Sequence, residues 1–269
     1  MIKFISFGSG SSGNCYLLSS GNTSLMIDLG VGVRNLKKYL RDFGLRFENI
    51  NAILVTHDHA DHVKSVGVIS NEYGIPVYAT DAVHRGIEHN YCVRKKIEVN
   101  NKRVIEPGHT FSIGEFVVTP FDVPHDSCGN VGYRIENVHG EIFCLMTDIG
   151  HVTDDIRQNV SLADYLVVEA NHDESMLMQG PYPQYLKERV KGDFGHLSNV
   201  SCAELLRDYA SKRLKHVWLC HLSEENNHPE LLRKTIEETL SSVPGVNTCG
   251  FEVDILKRKM PSEIFQLGK

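Results

Sequence analysis

With 269 residues, 41% of them hydrophobic, the chain can bury a full core and fits one large α/β domain spanning 1–269. Its formal charge of −6 argues against a surface that coats nucleic acid, while leaving room for a locally basic cleft. No run approaches the roughly 20 apolar residues of a membrane helix, and the opening seven residues are too short for a signal-peptide core, so a cytoplasmic location is expected. Seven cysteines, at 15, 92, 128, 144, 202, 220 and 249, form no Cys-x-x-Cys pair, which excludes a disulfide framework and a thiolate zinc knuckle. They read as small buried hydrophobes.

Alternating runs at 3–7, 15–19 and 24–28, cut by turn signals, predict an antiparallel meander. Val33, Leu36, Leu40 and Phe43 then recur at helical spacing beside Arg34, Lys37, Lys38 and Arg41, a solvated basic face, and Gly44 ends the helix. A buried strand is expected over 50–56, a helix over 63–73, a strand over 75–79, a helix over 81–88 and a strand pair at 111–113 and 115–121. A second β-rich stretch follows at 131–136 and 142–147, with a buried strand at 165–169. Helices at 184–191, 201–209 and 229–240 surround a strand at 216–221, and 251–256 reads as a closing strand. Alternation of strand and helix indicates a layered α/β fold, and the two halves share one order, a meander followed by strand–helix units.

Gly8-Ser9-Gly10-Ser11-Ser12-Gly13 fits the dinucleotide fingerprint, with Asp28 near the distance of a ribose-binding acid. Residues 14–28 hold two short β-like runs where a crossover helix would have to stand, so the match is read as a tight turn near the active site.

The chemistry concentrates in Thr56-His57-Asp58-His59-Ala60-Asp61-His62, where three imidazoles and a carboxylate in the pattern H-x-H-x-D-H follow a buried strand. Neutral imidazole and carboxylate are common ligands of zinc-like ions. One motif cannot complete two metal sites, and His125, Asp148 and His221 each stand at the mouth of an apolar run, where a packed core would not want a polar group.

The order Asp28, His57-x-His59-x-Asp61-His62, His125, Asp148, His221 resembles the successive motifs of the metallo-β-lactamase superfamily over nearly the whole chain. The resemblance implies an αββα four-layer sandwich with two divalent metal ions, of zinc, manganese or iron, at the edge between the sheets. It implies His57, His59, His125 and Asp148 on one metal, Asp61, His62, Asp148 and His221 on the other, and Asp28 orienting a ligand from behind. The segments 7–14, Val168-Glu169-Ala170-Asn171-His172-Asp173 and Gly195-His196-Leu197-Ser198-Asn199 are similar to a narrower group, the YycJ (VicX, WalJ) proteins of Gram-positive bacteria. That group implies a DNA exonuclease acting from the 5′ end, with His196 fixing or protonating the scissile phosphate. Two metals would lower the pKa of a bridging water toward about 7, with Asp61 orienting the resulting hydroxide.

Further substrate contacts are expected from Ser198, Asn199 and the amides of a helix starting near Ser201, and from Asn14. Ser201-x-x-Glu204 also reads as a capping box. Lys187, Arg189 and Lys191 are better placed than the 34–41 basic face to meet a nucleic-acid backbone. Tyr182, Tyr185 and Phe194 are assigned to the core, with base stacking as the alternative. A thioester or lactone hydrolase would use the same cage, and only the substrate distinguishes it.

Overall fold

Most strands are apolar on both faces, and a strand of that kind needs a layer on each side. The computed structural model, which describes residues 2–241 and 250–268, meets that need with two seven-stranded sheets packed face to face. β1 (Ile2–Gly8), β2 (Cys15–Ser20) and β3 (Thr23–Ile27) form the antiparallel meander. After α1 (Val33–Asp42) come parallel strands β4 (Ala52–Leu54), β5 (Val77–Ala79) and β6 (Lys102–Val104), crossed over by α2 (Ala60–Val63), α3 (Val66–Tyr73) and α4 (Asp81–His89).

The second sheet repeats this order. β7 (Phe111–Ile113), β8 (Phe116–Asp122), β9 (Val131–Asn137) and β10 (Ile142–Met146) are antiparallel, and β11 (Tyr165–Glu169), β12 (His216–Cys220) and β13 (Glu252–Ile255) continue in parallel. α5 (Asp154–Leu162), α6 (Glu174–Gln179), α7 (Gln184–Lys191), α8 (Asn199–Tyr209) and α9 (Pro229–Ser241) lie between them in sequence. β14 (Phe265–Leu267) returns to the first sheet and pairs with β1.

Between the sheets, Phe4, Tyr16, Leu18 and Leu25 meet Phe116, Tyr133, Phe143 and Trp218. On the outer faces of the same strands, Ile5, Leu17 and Ile53 pack on Leu36 and Leu40 of α1 and Val83 and Ile87 of α4. Cys144, Met146 and Leu219 pack likewise on Ile156 of α5, Leu206 of α8 and Ile236 of α9. This is the αββα sandwich that the family resemblance implied.

Several expectations change. The helix expected over 63–73 is two pieces, α2 and α3, because Ser65 donates its hydroxyl to the Val31 carbonyl and its amide to that of Leu29, interrupting the helical ladder. Asp61 and His62 therefore stand on a helical turn rather than on a loop. The strand at 251–256 does not close the fold, since β14 follows it. Cys15, Cys144, Cys202 and Cys220 are buried as expected, whereas Cys92 is half-buried and Cys128 exposed; Cys249 lies outside the described residues.

Trp218 is the sole tryptophan, and its ring lies 4.6 Å from that of Phe4 across the sheet interface. Phe4→Ala is expected to cost about 3–5 kcal/mol in urea unfolding followed by Trp218 fluorescence. A loss below about 1 kcal/mol would show that the sheets do not depend on this contact.

Candidate metal centre

Strand ends from both sheets converge on one edge, and their backbone there is unusual. Among the described residues, the only non-glycine positions with positive φ are Asp28 (58°), Asp148 (57°) and His221 (54°), the residues that leave β3, β10 and β12. Left-handed backbone costs an L-residue energy, and it persists where the surroundings over-determine it. Here Asp148 and His221 join the cluster of ligand-type groups, while Asp28 lies behind His62.

Asp28 is fully buried. One of its oxygens accepts from the Thr56 amide at 2.8 Å and the other from Thr56 Oγ1 at 2.9 Å and His62 Nδ1 at 2.8 Å. That proton on Nδ1 leaves the Nε2 lone pair of His62 facing inward, 3.3 Å from Asp148 Oδ2 and 3.6 Å from Asp61 Oδ2. His125 is set the same way: its Nδ1 donates to the Gly195 carbonyl at 3.0 Å, and Nε2 stands 3.3 Å from His59 Nδ1 and 3.7 Å from Asp148 Oδ1. His221 donates Nδ1 to Glu169 Oε1 at 2.8 Å and turns Nε2 to Asp61 Oδ2 at 3.4 Å. His57 Nε2 is buried with no hydrogen-bond partner among the described residues.

The ligand-type atoms of these residues fall into overlapping groups, each within 4.8 Å: His57, His59 and His125; His57, His62 and Asp148; Asp61, His62 and His221; and Asp148, Glu169, His196 and His221. All seven residues singled out as ligands are thus drawn together, with Asp148 near the middle. An orphaned buried imidazole nitrogen, two inward nitrogens facing each other and several carboxylates form a donor set that fits divalent cations.

The electrostatics ask for positive charge. Burial would lower the His62 pKa, but Asp148, Asp28 and Asp61 outweigh it and push it up to about 10. Burial would raise the Asp148 carboxyl, yet His221, His62 and His57 hold it well below the usual range. His57, where burial dominates, is held well below an ordinary imidazole.

Glu169, quoted within a family-like segment but given no role from the sequence, also joins the cluster. It is completely buried at the end of β11 and accepts from His196 Nδ1 at 2.9 Å, His221 Nδ1 at 2.8 Å and the amides of Ile149 and Leu197. Burial opposes its ionisation, but His196 and the hydrogen bonds of both histidines bring its pKa down to about 2. A charged residue closing an all-apolar strand was the available signal.

The expected substrate contacts fare differently. Asn14 is fully buried, its amide 2.8 Å from His62 Nε2 and 3.3 Å from Asp61 Oδ2, so it faces the cluster and not solvent. Ser198 caps α8 by accepting from the Ser201 amide, so the capping serine is Ser198 and the helix starts at Asn199. Asn199 is fully buried and paired with Asn227, which leaves no free group for a substrate. Tyr185 (72% exposed) and Phe194 (59% exposed) stand outside the core to which they were assigned. A cavity of about 700 Å³ opens beside His59, with Asp58, Arg85, His89, Tyr91 and Cys128 on its walls.

The glycine loop backs this site. β2 pairs antiparallel with β1 directly after it, so no Rossmann crossover exists. Asn14 donates its amide to the Asp61 carbonyl, and Ser9 Oγ accepts from the His221 amide.

A profile of the beta-lactamase superfamily domain matches residues 23–221, which span every ligand-type residue of the cluster. The chain belongs to the beta-lactamase superfamily. Within that superfamily, it is 35% identical to "Exodeoxyribonuclease WalJ" of Streptococcus pneumoniae serotype 2 over 89% of this chain and 88% of that protein. It is 32% identical to "Exodeoxyribonuclease YycJ" of Bacillus anthracis over 98% of each. Among solved structures, the metallo-beta-lactamase fold protein YhfI from Bacillus subtilis superposes with a TM-score of 0.70 at 19% identity, covering 98% of this chain and 100% of that one. Human tRNase Z, short form, gives 0.63 at 18% identity, covering 98% and 100%. At those identities, the structural likeness establishes the superfamily fold.

One close approach is a strict test of the site's packing. A Cβ on Gly30 would lie 1.4 Å from the Asp61 carbonyl oxygen, an atom of backbone that cannot swing aside. Gly30→Ala is expected to displace the 61–62 turn and destabilise the protein by at least about 2–3 kcal/mol in thermal unfolding. An unchanged melting temperature would contradict this packing.

Proposed function

We propose that this chain is a dinuclear-metal phosphodiesterase that degrades DNA as an exonuclease from the 5′ end. The observation that carries the reading is a continuous cluster of four overlapping groups of imidazoles and carboxylates, two of which contain Asp148 and one of those also His196. Relatives named exodeoxyribonucleases, at 32–35% identity over most of the chain, support DNA as substrate. They favour a phosphodiester over the thioester or lactone that the same cage would serve.

His57, His59, His125 and Asp148 would hold one cation and Asp61, His62, Asp148 and His221 the other. Zinc, manganese and iron all suit nitrogen and oxygen donors. When bound, two such ions supply an activated water at neutral pH and stabilise charge on the reacting phosphate. The chain's own contribution is orientation. Asp28, Glu169 and the Gly195 carbonyl each take the outward N–H of a ligand imidazole, which fixes its tautomer and aims its other nitrogen inward. Asp61 stands at the rim, where its carboxylate can orient the attacking water as well as bind.

His196 has a different place. Its Nδ1 donates to Glu169, its side chain is partly exposed, and its ring lies 5.1 Å from that of His125 and 5.3 Å from that of His221. A carboxylate-backed imidazole at the mouth of the site suits proton delivery to the departing oxygen. No helix among the described residues is long and apolar enough to cross a membrane. The six cysteines among the described residues are unpaired, which supports the cytoplasmic location.

The test combines metal analysis of the purified protein with turnover of 5′-phosphorylated DNA, RNA, a thioester and a lactone, with and without chelator. Chelation should abolish DNA hydrolysis. His59→Ala and Asp148→Asn should lose metal and activity together. His196→Ala should keep its metal and lose about 10²–10⁴-fold in turnover. Metal loss in step with activity would make His196 a ligand, and turnover of the thioester or lactone alone would overturn the nuclease reading.

A further inference from the structure

Resting on the phosphodiesterase reading, we infer that Arg189 contacts a backbone phosphate of the bound strand, one flanking the reacting phosphate. Three basic residues stand on α7, and the structure separates them. Lys187 spends its ammonium on the Met178 carbonyl at 2.7 Å. Lys191, in the last turn, has no ion pair among the described residues. Arg189 alone is tied to the centre: its Nε donates to Asp126 Oδ2, and the other oxygen of that carboxylate lies 3.4 Å from His125 Nε2 and 4.0 Å from His59 Nε2.

The guanidinium is therefore held one carboxylate away from two imidazoles of the cluster. Its two Nη atoms make no hydrogen bond among the described residues, so paired N–H donors remain for phosphate oxygens. With its Nε pinned, Arg189 loses less side-chain freedom on binding than an untethered cation would. The wall that carries it is stitched to the centre by backbone: the Asp126 amide donates to the Phe194 carbonyl at 3.0 Å, and His125 Nδ1 to that of Gly195 at 3.0 Å. Because Asp126 stands between the guanidinium and the imidazoles, Arg189 meets a neighbouring phosphate and not the one being cleaved.

The metal-loaded enzyme is assayed on single-stranded DNA and on bis(p-nitrophenyl) phosphate, a diester with only one phosphate. Arg189→Ala should raise KM for DNA about 10- to 100-fold, the scale of a lost charge-assisted hydrogen bond, with little change in kcat. Metal content and activity on the one-phosphate diester should be unchanged. The slope of log affinity against log salt should fall by about 0.7, one single-strand phosphate contact. Arg189→Lys should recover part of the loss, and Lys187→Ala should match wild type. An unchanged KM and salt slope in Arg189→Ala would overturn the inference, as would an equal loss on both substrates, which would make Arg189 a prop for the centre. If the wild-type enzyme hydrolyses neither substrate, the phosphodiesterase reading itself fails.

Discussion

Asp28, Asp148 and Glu169 are buried carboxylates, and Asp61 joins them at the rim. Burying an ionised carboxylate costs several kcal/mol unless it is paired and hydrogen-bonded, so everything around the four is arranged to meet that demand. Asp28 is satisfied by the Thr56 amide and hydroxyl and by His62, Glu169 by two amides and two imidazoles. Asp148 has one short hydrogen bond, from Thr147 Oγ1 to Oδ2 at 2.8 Å, and its remaining close neighbours are imidazole nitrogens at 3.3–3.7 Å, a spacing that would admit a cation. The centre thus has two layers, an outer one closed by short hydrogen bonds and an inner one left open for cations.

Holding that inner layer open is the work of rigid elements. Three residues in left-handed backbone store strain of order 1–3 kcal/mol each, which the sheets on either side must over-determine. The glycine loop contributes by close approach: a Cβ on Gly13 would lie 2.4 Å from the Gly30 carbonyl, and one on Gly30 still nearer the Asp61 carbonyl. These contacts stack the loop, the β3 exit and the α2 turn without side chains between them. A sequence that imitates a nucleotide cradle serves instead as a spacer-free support for Asp61, His62 and His221.

The two walls of the centre differ in chemistry. On the His59 side, Asp58 reaches outward to accept from the Cys128 amide, and its carbonyl accepts from Asn90, tying the motif to α4 and to the 128 loop. On the His125 side, α7 and the 193–196 segment bring Arg189, exposed Phe194 and His196 together. The cluster is thus flanked by a cavity on one side and, on the other, by a wall with exposed Phe194 and with Arg189 paired to Asp126. A net charge of −6 conceals this local arrangement.

The sequence by itself determined the layered α/β order and the meanders and singled out seven ligand-type residues that the fold draws together, because each either belongs to one dense motif or interrupts the end of an apolar run; the four-layer sandwich came from the family resemblance. It did not reveal β6, whose Lys102-Arg103-Val104 is too short and too charged to register as a strand, nor β14, which earns its place only by pairing with β1. α5 carried a readable signal, Thr153 as cap with Asp154 and Asp155 in the first turn, that periodicity alone overlooked. Only the tertiary structure decided the roles of Glu169, Asn14 and Asn199. A carboxylate, an amide and a helix-start asparagine have no intrinsic address in sequence; what each does depends on which distant group lies within about 3 Å, and that distance exists only after the two sheets close on each other.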